Sequence, residues 1–166
     1  MKLPIHYLIL FCCLLAMLPL MPGTAQSQSL TAITESDIHA MLNATDRATR
    51  KGNVADMIAP LASDIKIKMS ILNPGSDKEQ EGTLTKEQFE FNARTNLRRR
   101  LAYKLERKNT QIKIYNEQLA KVTSEVYEVF KMREGTLRAS SSEVLYVTLR
   151  DGKLVITAAE VSMRVY

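Results

Sequence analysis

Apolar residues recur with two different periods along the chain, and the period changes near residue 101. Before that point the apolar positions are mostly three or four residues apart, which predicts amphipathic helices. After it they alternate with polar residues, which predicts strands. The pattern therefore predicts an α+β domain with a helical first half and a second half made of sheet.

The first two predicted helices follow each other closely. Thr34 and Asp37 give a capping-box-like start to the first helix, and Gly52 ends it. Asn53 begins the second helix, which Pro60 shortens or kinks. The predicted apolar positions are Ile38, Met41, Leu42 and Thr45 in the first helix and Val54, Met57, Ile58 and Leu61 in the second.

The third helix has the most complete start signal in the chain. Thr85 and Gln88 have the spacing of a capping box, and Leu84 and Phe89 have the spacing of a hydrophobic staple. Its apolar stripe continues from Phe89 through Ala93 and Leu97.

One strand is predicted between the helices, at 65–69, and a turn at 73–76 follows it. Four more strands are predicted at 101–115, 119–132, 138–150 and 153–165. Their short connections predict an antiparallel meander. Asp151 and Gly152 form a type I′ turn signal, which pairs Leu149 with Leu154, Val147 with Ile156, and Leu145 with Ala158.

The N-terminus has the features of an export signal. Lys2 precedes an apolar run at 5–20, and small residues allow cleavage after Ala25 or Ser27. We expect a signal peptide at 1–25, a flexible leader at 26–33, a domain at 34–166, and a periplasmic or secreted protein. An uncleaved membrane anchor is the alternative.

Removal of residues 1–25 would limit the chemistry of the mature chain. Cys12 and Cys13 would leave with the signal, so no disulfide or thiolate site is expected. His39 would be the remaining histidine, a solvated residue, and no metal site or cofactor is predicted. The full chain has a net charge of +5. Without residues 1–25 it keeps 22 basic and 18 acidic residues.

Two segments resemble the NTF2-like (SnoaL-like) superfamily. The stretch from Asp46 to Asp64 is similar to that family's "alnagDldalvalfadD" segment, and the stretch from Leu149 to Ile156 is similar to its closing hairpin. The resemblance implies a cone with three N-terminal helices packed on a curved antiparallel sheet. It also implies homodimerisation through the sheet, where Tyr146, Thr148, Thr157 and Tyr127 are candidates.

The superfamily includes isomerases, dehydratases, cyclases, carriers and non-catalytic accessory domains, so the resemblance leaves the function open. Ketosteroid-isomerase-like members use an Asp base and two oxyanion donors, a Tyr and an acid. The resemblance places Met69 near the base, Thr45 near the Tyr, and Val144 near the acid. Because these side chains cannot perform those roles, that chemistry is not expected.

Three glutamates are the candidate catalytic residues. The hairpin register would set Glu143 opposite Glu160 on the apolar face, where close carboxylates would have different pKa values. A β-bulge near Ala158-Ala159 is the favoured alternative, because it turns Glu160 outward and three later apolar residues inward. Glu128 alternates with apolar neighbours and is a third candidate for an inward acid. A glutamate at a strand end or sheet edge with a basic neighbour is the alternative and the more common case.

The densest charge run is a candidate surface for an anionic partner: Arg98, Arg99, Arg100, Lys104, Arg107 and Lys108. A solvated face is the favoured interpretation, and a nucleic-acid partner is disfavoured because the protein is expected outside the cytoplasm. We expect a non-catalytic domain that binds a small apolar ligand or mediates assembly. The alternative is a cofactor-free isomerase, dehydratase or cyclase that uses Glu143, Glu160 or Glu128.

Overall fold

The computed structural model describes residues 29–99, 101–133 and 135–166, which contain three helices and one six-stranded sheet. The helices are α1 (Glu35–Lys51), α2 (Val54–Ile58) and α3 (Lys86–Arg99). The strands are β1 (Leu61–Leu72), β2 (Gln80–Leu84), β3 (Ala102–Asn116), β4 (Leu119–Lys131), β5 (Thr136–Arg150) and β6 (Lys153–Val165). The strand order is β2-β1-β6-β5-β4-β3.

The predicted helix boundaries are confirmed at α1 and α3. The Thr34 hydroxyl accepts a hydrogen bond from the Asp37 amide, and Gly52 ends α1 in the left-handed region at φ 73°. At α3, the Gln88 amide donates to Thr85 Oγ1 and the Thr85 amide donates to Gln88 Oε1. Both orphan amides of the capping box are therefore satisfied.

The strands differ from the prediction in two places. β1 begins at Leu61, which the sequence pattern placed on the second helix, because α2 ends at Ile58, just before Pro60. The polar strand β2 was not predicted. It pairs antiparallel with β1, and residues 80–83 are exposed.

The antiparallel meander of β3 to β6 is confirmed, but the sheet as a whole is mixed. β1 pairs with β6 in parallel, so the expectation of a purely antiparallel sheet is wrong. A parallel pair requires a long crossover, and here α3 with β3 to β5 supplies it. This pairing places β1 beside the strand that ends the chain.

The Asp151-Gly152 turn has positive φ at both residues, 51° and 69°, as a type I′ turn requires. Leu149–Leu154 and Val147–Ile156 pair as predicted. Beyond them a bulge inserts Thr157, so Leu145 faces Ala159 and not Ala158. The bulge therefore lies slightly earlier than predicted.

The core lies between α1 and one face of the sheet, which we call the inner face. Ile38 and Leu42 of α1 are buried with Ile65, Val122 and Val147 of the strands. The end of the expected leader also contributes, because Ile33 is buried and its amide donates to the Glu117 carbonyl at 2.9 Å. The expected signal peptide lies outside the described residues. No described helix is long and apolar enough to cross a membrane.

Candidate functional site

A cavity of about 220 Å³ lies between the helices and the inner face of the sheet. Its walls are mainly apolar and come from several elements. The apolar lining residues include Leu42, Met69, Phe89, Leu145, Val161 and Met163. Its polar lining side chains are Thr45, Asp46, Thr49, Arg107, Glu128, Ser141 and Glu143. An apolar cavity with a few polar groups is the usual form of a small-molecule site.

Arg107 organises the polar end of the cavity. Its Nε and Nη2 atoms both donate to the Asp46 carboxylate, at 3.0 Å each. Its Nη1 atom donates to Glu143 Oε2 at 2.6 Å and to the Ser124 hydroxyl at 2.5 Å. One guanidinium therefore joins α1 with β3, β4 and β5.

The ion pairs around Arg107 are shielded from solvent. The side chains of Arg107, Asp46 and Glu143 are 12%, 8% and 19% exposed. Burial lowers the pKa of Arg107, but its hydrogen bonds with Asp46 and the charge of Glu143 outweigh burial and raise the pKa above its ordinary value. Because two carboxylates meet one guanidinium, this group of three carries a net negative charge.

Glu128 forms a second polar group in the same cavity. Its carboxylate accepts a hydrogen bond from the Tyr103 hydroxyl, and the Tyr103 ring packs against Phe130 at 5.0 Å between centroids. Burial raises the pKa of Glu128, and the Tyr103 hydrogen bond opposes that effect. The negative charge of Glu143 raises this pKa further.

The structure separates the two glutamates that the simple hairpin register would set opposite each other. Glu143 faces Val161 and points inward to Arg107, whereas Glu160 faces Val144 and is exposed. Glu160 lies 3.6 Å from Lys68 Nζ. The bulge therefore turns Glu160 outward, as expected. The other glutamate that lines the cavity with Glu143 is Glu128.

Two of the three positions implied by the resemblance line the cavity, Thr45 and Met69. Thr45 donates its hydroxyl hydrogen to the Met41 carbonyl, so it is engaged by its own helix. Val144 lies on the opposite, outer face, and the inner-face residue beside it is Glu143.

Arg107 does not belong to the predicted anionic-partner surface. It alternates with exposed residues of β3 and points inward, where its charge is neutralised by buried acids. Lys104 and Lys108 are exposed on the outer face. The side chains of Arg98, Arg99 and Arg100 lie outside the described part of the structure.

Asp46 belongs to the site but was not predicted from the sequence. It lies four residues after Leu42 and eight after Ile38, so it is a charge on the buried stripe of α1. That signal, together with the inward position of Arg107 in an alternating strand, was available in the sequence. His39 is exposed, as predicted, and the described residues contain no group of three metal-binding side chains.

Comparison with known proteins supports the fold. No family model matches the chain, and no curated protein matches it. Solved structures match at low identity. An NTF2-like protein of unknown function from Pseudomonas putida KT2440 has a TM-score of 0.58 and 13% identity, with 77% of this chain and 84% of that chain covered.

Two further solved structures have a similar fold. A type 2 hexachlorocyclohexane dehydrochlorinase (LinA) has a TM-score of 0.58 and 12% identity, with 77% of this chain and 83% of that chain covered. A conserved protein from Planctomyces limnophilus DSM 3776 has a TM-score of 0.63 and 17% identity, with 78% of this chain and 94% of that chain covered. The chain therefore has the NTF2-like (SnoaL-like) fold, which an enzyme and a protein of unknown function share.

Proposed function

We propose that this protein binds a small, mainly apolar molecule in the cavity between its helices and its sheet, without transforming it. The observation that supports the proposal most is the composition of the cavity, which has apolar walls and one polar end. At about 30 Å³ per water molecule, its volume corresponds to about seven waters. It is smaller than a typical site for a drug-sized ligand, which is about 300–1,000 Å³.

The polar end also limits the charge of the ligand. Asp46 and Glu143 give two carboxylates against the single guanidinium of Arg107, and Glu128 adds a third acidic group. An anionic ligand would meet this negative field in a site of low dielectric constant, where repulsion is strong. The proposed ligand is therefore neutral or cationic, with an apolar body.

Native mass spectrometry of the protein purified from its own host tests this proposal. We expect an added mass that denaturation releases. The Val161→Phe variant, which places a larger side chain in the cavity wall, should lose this mass. The same spectra test the expected export, because a mature chain should begin at Gln26 or Gln28. An added mass retained by the Val161→Phe variant would contradict binding in the cavity.

A second candidate function is acid–base catalysis without a cofactor. Glu128 favours it, because burial raises the pKa of its carboxyl above the ordinary value, and a buried carboxyl in a cavity is a candidate for proton transfer. Its carboxylate would take a proton from a carbon atom next to a carbonyl group and then return it. The Tyr103 hydroxyl, which donates to Glu128, would hold that carboxylate in position.

Deuterium exchange into a small ketone such as cyclohexanone, followed by NMR in D₂O, tests this candidate. Catalysis by Glu128 predicts exchange faster than in buffer, which Glu128→Gln abolishes. Glu160→Gln is the control, because Glu160 lies on the outer face. Exchange at the same rate in wild type and Glu128→Gln would reject the role of Glu128.

A further inference from the structure

The outer face of β3, β4 and β5, which turns away from the helices, is strongly basic. Arg107, Val122 and Ala139 point to the inner face, so the residues that alternate with them along each strand lie on the outer face. We call six of the basic residues there the lysine face: Lys104, Lys108, Lys113, Lys121, Lys131 and Arg138. Two acidic residues, Glu106 and Glu125, lie on the same three strands and face.

Strand pairing brings these charges together from distant parts of the sequence. Lys113 of β3 is the direct partner of Lys121 of β4. Lys104 of β3 and Arg138 of β5 both pair with Val129 of β4, so they lie on either side of it. Like charges directly opposite each other destabilise a strand pair. The repulsion between Lys113 and Lys121 therefore destabilises the pairing of β3 with β4, and the fold keeps both charges on the outer face despite this effect.

Most of the lysine face is not neutralised by the protein itself. Lys108 lies 3.2 Å from Glu106. Glu125 accepts hydrogen bonds from Asn109 and Tyr127. Within the described ranges, the other five members form no ion pair: Lys104, Lys113, Lys121, Lys131 and Arg138.

Exposed tyrosines accompany the lysines. Lys108 Nζ lies 5.3 Å from the centre of the Tyr127 ring, and Lys113 Nζ lies 5.1 Å from that of Tyr115. The two tyrosines are 42% and 48% exposed. Tyrosine and lysine are the residues that suit the headgroup region of a bilayer, where an apolar body and a polar tip are both accommodated.

From this charge pattern we propose that the lysine face docks on a bilayer of anionic phospholipids, with headgroup phosphates lying among the lysines. The face spans three adjacent strands, so it offers several charges to a flat surface at once, and each lysine near such a surface adds to the binding. The same face would be unfavourable for a symmetric homodimer, because a two-fold axis would set positive charge against positive charge.

The test uses the protein as its host processes it and measures cosedimentation with vesicles. One vesicle set contains equal parts of phosphatidylglycerol and phosphatidylcholine, and the other contains phosphatidylcholine alone. The face variant is Lys104→Gln, Lys113→Gln and Lys121→Gln. The matched control is Arg47→Gln, Lys51→Gln and Arg94→Gln, which removes the same charge from the helices.

We expect the wild type to bind the anionic vesicles, with phosphatidylcholine vesicles giving a low baseline. The face variant should bind roughly tenfold more weakly or worse, and the control should bind within about threefold of wild type. Raising the salt from about 0.1 M to about 0.5 M should weaken wild-type binding, because exposed charges are screened.

Three results would overturn the proposal. One is equal loss in the face variant and the control, since net charge alone would then explain the binding. Another is binding of soluble polyphosphate while the anionic vesicles stay at the baseline. A third is a wild-type dimer in analytical ultracentrifugation that the face variant converts to monomer, because the face would then be an interface between copies.

Discussion

Arg107 of β3 and Asp46 in the C-terminal half of α1 form a bidentate ion pair, with both nitrogen–oxygen distances at 3.0 Å. The pair joins residues far apart in the sequence and fixes the helix over the sheet. Because Glu143 and Ser124 use the remaining guanidinium nitrogen, the charge is held entirely by the protein. The cavity therefore has a polar end that does not depend on a ligand.

Replacing Arg107 should destabilise the fold severely. Arg107→Met leaves two largely buried carboxylates without their cation, and loss of one partner of a buried ion pair costs about 3–5 kcal/mol. Urea denaturation at pH 7 measures this loss. The neutral triple variant Arg107→Met, Asp46→Asn and Glu143→Gln should recover much of it. A loss below about 1 kcal/mol in the single variant would contradict the buried network.

Glu128 should make the stability depend on pH in a defined direction. Because burial raises its pKa above 4.5, the folded protein holds this proton more tightly than the unfolded chain does. The extra stability that the folded protein gains by binding this proton is present at low pH and is lost as the pH rises through the folded pKa. Glu128→Gln, which remains neutral, should be more stable than wild type at pH 7.

Urea midpoints at several pH values between about 4 and 7 measure the effect of Glu128. The advantage of Glu128→Gln should disappear toward the acid end of this range. Glu160→Gln is the matched control, and its curve should run parallel to wild type because Glu160 is exposed. A Glu128→Gln curve that also runs parallel would show that the carboxyl is not buried in solution.

The cap of α3 should contribute a measurable share of stability. Thr85→Ala removes the hydroxyl that accepts a hydrogen bond from the Gln88 backbone amide, which should lower the free energy of unfolding by about 1 kcal/mol. Thr83→Ala on the exposed strand β2 is the control and should change the free energy of unfolding by less than about 0.5 kcal/mol. Similar losses in both variants would mean that the capping box does not hold the helix start.

Two glycines allow the position of the N-terminal segment to be tested. Gly152 and Gly75 both have positive φ, 69° and 72°, so alanine is strained at either. A Cβ at Gly152 would lie 2.9 Å from Ser29 Cβ, whereas a Cβ at Gly75 meets open space. Gly152→Ala should therefore lower the thermal midpoint more than Gly75→Ala does. Equal midpoints would mean that Ser29 does not lie over this turn.

Local patterns predicted most of the fold. The start of α3 and the Asp151-Gly152 turn depend on residues close in sequence, so their signals were complete. β2 was not predictable, because its polar residues gain a strand conformation only by pairing with the edge of β1. The parallel pairing of β1 with β6 depends on the path of the whole chain, which local periodicity does not contain.

The candidate site was predictable in its parts but not in its combination. The alternation of apolar and polar residues predicted that Glu128 points inward. The bulge that separates Glu143 from Glu160 was also predicted, because without it three apolar residues of the last strand would point outward. The sequence did not show that Arg107 would meet Asp46, because their contact depends on how α1 lies across the sheet. A charged residue at a position that should be buried was the available signal.

Methionine methyl groups report directly on whether the cavity admits a small, mainly apolar molecule. Met57, Met69 and Met163 line the cavity, whereas Met132 lies between β4 and β5 and does not. Titration of ¹³C-methyl-labelled protein with benzyl alcohol should give saturable shifts at the three lining methyls. Met132 should not move, and Val161→Phe should abolish the shifts. Unchanged lining methyls in the wild type, or shifts that persist in Val161→Phe, would contradict binding in the cavity.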